Sequence, residues 1–197
     1  MLSGDEAYDA VVKATRKAAN LYEKWACGSL LSDAGVESLI QTEIARELFA
    51  SGKCYVTLET SFKHAVEWDE TIECFNYPEN VSELSRFDIC VWCKDENLIG
   101  IIEVKRSKET WQLEKDMKRM SGMLREARKV KNSNLRYTMV AMYLWANCET
   151  KFKSLVKDTD CLFGNFATGK NSHFDNHEIK PLEKTDIKQS IAIAYFE

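Results

Sequence analysis

The chain is poor in proline and glycine. Two prolines and eight glycines in 197 residues leave no Pro/Gly/Ser-rich stretch to serve as an interdomain linker, and no internal repeat is visible. One domain spanning residues 1–197 is the expectation, since this length suits a single well-packed core. No apolar run reaches the roughly 18 residues of a membrane-spanning helix, so no membrane partner is expected. There is no overall excess of positive charge either. The net charge is −4 and the pI is near 5.6, so the whole chain is not a polycation. The opening MLSGDEAYDA is polar and acidic, unlike a secretory leader. The seven cysteines are odd in number, and several sit in apolar runs. An intracellular, most simply cytoplasmic, reduced protein is the expectation.

What is present is uneven. From Glu103 to Arg136 there are 11 Lys or Arg against 5 Asp or Glu, a local charge of +6 that leaves −10 on the remainder. Such asymmetry suits an anionic ligand on one side of the molecule, or a solvated helix face.

Hydrophobic periodicity predicts helices over 5–27, 33–50 and 109–131, with a short one over 150–158. Asp33 is a candidate N-cap of the second, and Gly52 sits just past its end. Strands are predicted over 54–62, 86–93, 98–106, 137–146 and 190–196. The segments 68–84 and 160–187 read as loop-rich. The order is helix, three strands, helix, strand, then a tail. That is an α/β protein with a mixed sheet flanked by helices.

The run LIGIIEV (98–104) is continuously apolar and β-branched, as in a strand buried on both faces. It ends in Glu103 and Lys105, which project from the same face. If Asp95 and Glu96 form a two-residue hairpin loop, Asp88 faces Glu103 and Arg86 faces Lys105. Asp88, Glu103 and Lys105 then converge. Two carboxylates at the end of buried strands suit a hard divalent cation such as Mg²⁺. A lysine beside them suits the orientation or deprotonation of a water. This combination is the chemistry of phosphodiester hydrolysis.

RFDI followed by IIEVKRS, on adjacent apolar strands, resembles the PD-(D/E)xK nuclease superfamily, with FD in place of PD. The resemblance covers roughly residues 33–146 and implies a restriction-endonuclease-like αβββαβ core. To this core the chain adds an N-terminal helix and a loop-rich C-terminal tail ending in a strand. It implies Asp88 and Glu103 as metal ligands, the Val104 carbonyl as a further ligand, and Lys105 as the catalytic lysine. Mg²⁺ is the implied cofactor, with Mn²⁺ able to substitute, and the implied substrate is nucleic acid, DNA ahead of RNA. Cutting both strands of a duplex suits a homodimer or larger complex.

Many members of that superfamily add a glutamate from the first core helix. Glu43 falls inside the apolar arc of Val36, Leu39, Ile40, Ile44 and Leu48, and is the first choice. Glu37, at the edge of the arc, is its rival. Arg86, Arg106, Lys115 and Arg119 are candidate phosphate contacts. The stripe Trp111, Leu113, Met117, Met120, Met123 and Leu124 is read as core packing, and His64 as a strand-end residue. Cys90 and Cys93 point to opposite faces of a strand, and His173 and His177 lack a full zinc ligand set. The alternative to a nuclease is an inactive nucleic-acid-binding or partner-binding subunit of the same fold.

Overall fold

The computed structural model describes residues 1–26, 37–69, 81–82, 84–107, 110–167, 172–180 and 187–197. Its elements in chain order are α1 (Gly4–Trp25), α2 (Glu37–Ala50), β1 (Tyr55–Ser61), α3 (Phe62–Trp68), β2 (Arg86–Trp92), β3 (Leu98–Ser107), α4 (Trp111–Ala127), β4 (Tyr137–Ala146), α5 (Glu149–Gly164), β5 (His173–Ile179) and β6 (Lys188–Phe196). The strands form one six-stranded sheet in the order β1-β2-β3-β4-β6-β5. Among the described strands only β3 and β4 run parallel; the other neighbours are antiparallel. The parallel pair is joined by α4, because parallel neighbours need a long crossover rather than a tight turn. The fold is α/β, a mixed sheet flanked by helices.

The sheet is covered on both faces, which explains the unbroken apolar runs of β3 and β4. On one face Ile102 and Val104 pack with Ile40, Ile44 and Leu48 of α2 and Ala14 of α1. On the other, Cys90, Ile101 and Val140 pack with Leu113, Met117 and Met120 of α4 and Phe152 of α5. By alternation, Glu103 and Lys105 share the face of Ile101, and Asp88 shares that of Cys90. At Gly100 the ring of Tyr137 lies so close that a Cβ would fall 2.3 Å from it.

The hairpin between β2 and β3 reaches the expected register by a different route. Its loop has three residues, not two: the Cys93 N–H donates to the Asn97 carbonyl at 2.9 Å, and Glu96 adopts a left-handed φ of 63°. A register shift follows between Val91 and Trp92, where Trp92 faces Leu98 but Val91 faces Gly100. The extra residue, Ile99, is a bulge. Beyond it Ile89 faces Ile102, the alignment that a two-residue loop gives without a bulge.

Several local expectations are corrected. Residues 62–68 form α3 rather than a strand end. Ser61 caps it, its Oγ accepting the His64 N–H at 3.2 Å, so His64 is an exposed helical residue. The last helix continues to Gly164. The segment expected to be loop-rich contains β5, an edge strand, and β6 lies inside the sheet rather than appended to it. Trp111 is 70% exposed and leaves the predicted stripe, whose other members are buried. Asp33 lies outside the described residues, as does most of the expected 68–84 loop. Gly52 follows α2 with a φ of +70°, its N–H donating to the Phe49 carbonyl at 3.0 Å, the left-handed stop that glycine favours.

Candidate active site

The site lies where β3 outruns its pairing with β2. The ladder between them ends at Ile89 and Ile102. Beyond that point the N–H groups of Val104 and Arg106, which leave the same edge of β3, find carboxylates instead of a strand. Asp88 Oδ2 accepts from Val104 N at 2.7 Å, and Glu37 Oε1 accepts from Arg106 N at 2.9 Å. Amides released from a ladder still require acceptors, and an ionised carboxylate is a strong one. β3 therefore parts from β2 without stranding its backbone, and two carboxylates are fixed at the opening.

Three of the residues singled out in the sequence meet there. Lys105 Nζ lies 2.9 Å from Glu103 Oε1 and 3.6 Å from Asp88 Oδ2. Both carboxylates thus address one ammonium from one face of the sheet. Asp88 is 8% exposed and Glu103 3%. Burial, and next the nearby Asp88 charge, push the Glu103 carboxyl up to about 7, although Arg119 and Lys105 oppose the shift. On Lys105 burial disfavours the charge, but Glu103 and Asp88 more than compensate and its pKa is raised. The two anions hold the ammonium charged.

The other candidates divide. Glu43 is not brought to this cluster: its buried carboxylate pairs with Lys17 of α1 at 3.1 Å and with Arg46 at 2.9 Å. A glutamate on the buried arc of α2 needs a partner, and docking α1 against α2 supplies one. Glu37, its rival, reaches the end of β3 next to Lys105. Arg119 is not a free phosphate contact. Its Nη2 lies 2.6 Å from Glu103 Oε1 and 3.3 Å from Asp116 Oδ1, with the side chain 11% exposed. Arg86 is exposed at the start of β2, and its carbonyl accepts from Arg119 Nη1 at 3.4 Å. Lys115 is exposed on α4 and Arg106 is half-buried.

Asp116 is the member that sequence reasoning missed. It is 9% exposed, and burial raises its pKa. The signal was available, because on α4 Asp116 falls between Met120 and Met123 on the helical wheel, inside the apolar stripe as Glu43 is inside that of α2.

Among the described residues, no group of three or more His, Cys, Asp or Glu side chains is arranged to hold a metal ion. The pair Asp88 and Glu103 nevertheless offers what a hard cation needs. Glu103 Oε2 is buried and has no hydrogen-bond partner among the described residues. A buried carboxylate oxygen left unpaired is costly and suits a cation. His173 and His177 flank Tyr8 on β5, and the Tyr8 hydroxyl lies 2.6 Å from His177 Nε2 and donates to Asp175 Oδ2 at 2.9 Å. That network ties α1 to the edge strand. Cys90 and Cys93 are buried free thiols in opposite cores. No helix among the described residues is long and apolar enough to cross a membrane. Comparison with known proteins finds no matching family model, no matching curated protein and no matching solved structure.

Proposed function

We propose that this chain is a divalent-metal-dependent nuclease of the PD-(D/E)xK kind, acting on DNA in preference to RNA. The observation that carries the reading is the convergence of Asp88 and Glu103 on the Lys105 ammonium at a splayed strand end, with Glu103 Oε2 unpaired. The run α2, β1, β2, β3, α4, β4, interrupted among the described residues by the short α3, supports it, because it follows the αβββαβ order of that superfamily's core. The basic segment that includes α4 lies on the same side of the sheet and suits a polyanion.

Asp88, Glu103 and the Val104 carbonyl would hold Mg²⁺ or Mn²⁺. When bound, such an ion polarises the phosphate and acidifies a coordinated water. The rest is done by the chain. Asp88 is immobilised by the Val104 N–H, so one ligand is preorganised. Lys105 Nζ, held between two carboxylates, is placed to orient the attacking water and to offset charge developing on phosphorus. Glu37, fixed at the same opening by the Arg106 N–H, is the helix glutamate positioned to join them.

The test is incubation with supercoiled plasmid, linear duplex, single-stranded DNA and RNA, each with Mg²⁺, Mn²⁺ or EDTA, beside Asp88→Ala and Lys105→Ala. Metal-dependent cutting that both variants lose is the expected result, with DNA cut faster than RNA. A second reading is a nucleic-acid-binding or partner-binding subunit without catalysis. It is favoured by one observation: Glu103 Oε1 already carries two cations. No cutting by the wild type under any condition, with salt-sensitive nucleic-acid binding retained, would establish it instead.

A further inference from the structure

Arg119 occupies the candidate site from the helix side. Its Nη2 lies 2.6 Å from Glu103 Oε1, the oxygen that Lys105 Nζ also approaches, at 2.9 Å. The same Nη2 is 3.3 Å from Asp116 Oδ1. Nη1 donates to the Arg86 carbonyl at 3.4 Å, and the guanidinium sits 5.9 Å from the centre of the Phe87 ring. These further attachments come from α4 and β2 and do not involve Glu103. Among the described residues, both cations make their closest approach to the same oxygen of Glu103, and Oε2 has no hydrogen-bond partner.

A divalent ion entering between Asp88 and Glu103 meets two fixed positive charges, and only one of them, Lys105, has a role in the proposed chemistry. Arg119 has a second anion within reach in Asp116. We propose that Arg119 is a positioning residue that competes with the divalent cation for Glu103, and that Asp116 is the carboxylate that keeps Arg119 when the cation takes Glu103. The inference rests on the metal-site reading above. It differs from a purely structural role for the ion pair in the sign of its effect: removing a structural arginine weakens cation binding, whereas removing a competitor tightens it. A divalent ion feels a single charge about 5 Å away as a change on the order of tenfold in affinity even at near-aqueous screening.

The experiment is Mn²⁺ titration of the full chain by calorimetry and electron paramagnetic resonance above neutral pH. Wild type is compared with Arg119→Gln, Arg119→Lys, Asp116→Asn and Glu103→Gln, with folding checked by circular dichroism. Arg119→Gln is expected to bind Mn²⁺ on the order of tenfold more tightly, and Arg119→Lys to stay near wild type because it keeps the charge. Asp116→Asn, which leaves Arg119 to Glu103 alone, is expected to bind several-fold more weakly. Because losing an anion near the site weakens cation binding by charge alone, Arg119→Met takes the place of Arg119→Gln should the latter not fold, with the same tightening expected. Glu103→Gln should lose the site. Binding by Arg119→Gln alone, with none by wild type, would be the strongest support. Unchanged or weaker binding by folded Arg119→Gln, or unchanged or tighter binding by Asp116→Asn, overturns the proposal while leaving the metal site intact. No binding by wild type or by either variant overturns the metal site itself.

Discussion

Asp88 Oδ2 accepts the backbone N–H of Val104 at 2.7 Å, so a side chain of β2 stands where a strand carbonyl would otherwise be. The contact lets β3 leave the ladder and holds one candidate ligand rigid. Asp88→Ala removes both the ligand and the acceptor of a buried N–H. We expect it to abolish metal-dependent cleavage and to lower stability by about 1–3 kcal/mol. Asp88→Asn retains an acceptor for the N–H and should recover most of the stability but little of the activity. Urea denaturation beside a cleavage assay measures the two effects. Equal loss of stability in both variants would contradict this role.

The pH dependence of stability isolates Glu103. Its carboxyl is raised to about 7 in the fold, first by burial and then by Asp88. The native state therefore holds this proton more tightly than the unfolded chain. Stability contributed by the protonated form is complete below the unfolded value near 4.5 and is lost as pH rises through 7. In EDTA, the stability of wild type minus that of Glu103→Gln should fall by about 3 kcal/mol across that interval. A flat difference would show that Glu103 titrates normally.

The two helix glutamates should separate in their effects. Glu37→Gln alters a side chain that holds the end of β3 beside Lys105, so cleavage should drop by at least about tenfold with little change in melting. Glu43→Gln disturbs pairs with the half-buried Lys17 and the exposed Arg46, so stability should fall by about 1 kcal/mol and activity should hold. The reverse pattern in cleavage rates and melting curves would return Glu43 to the site.

Gly100→Ala tests the packing beneath the site. The added Cβ would meet the buried Tyr137 ring at 2.3 Å, so the ring or the strand must shift to admit it. A loss of about 3 kcal/mol in denaturant unfolding is expected. A variant as stable as wild type would show that the ring moves freely.

The central strands and the face shared by Asp88, Glu103 and Lys105 were legible in the sequence because alternation and burial act within a few residues. The hairpin shows the limit. A three-residue loop and a bulge at Ile99 cancel, so the correct register came from an incorrect turn. Glu43 shows another: helical periodicity marks a buried carboxylate but cannot say whether the strand end or Lys17 of α1 is its partner. Arg119 was read as a surface cation because the anion that claims it, Glu103, lies on a different element. β5 was missed because HFDNHEI is an edge strand, half solvated and polar, and carries little of the apolar signal that marked β3 and β4.

The most direct measurement of the account is anomalous scattering from crystals soaked in Mn²⁺. A peak between Asp88 and Glu103, on the side of Glu103 Oε2, is expected in wild type and none in Glu103→Gln. A peak elsewhere on the chain, or no peak at a concentration that supports cleavage, would contradict it.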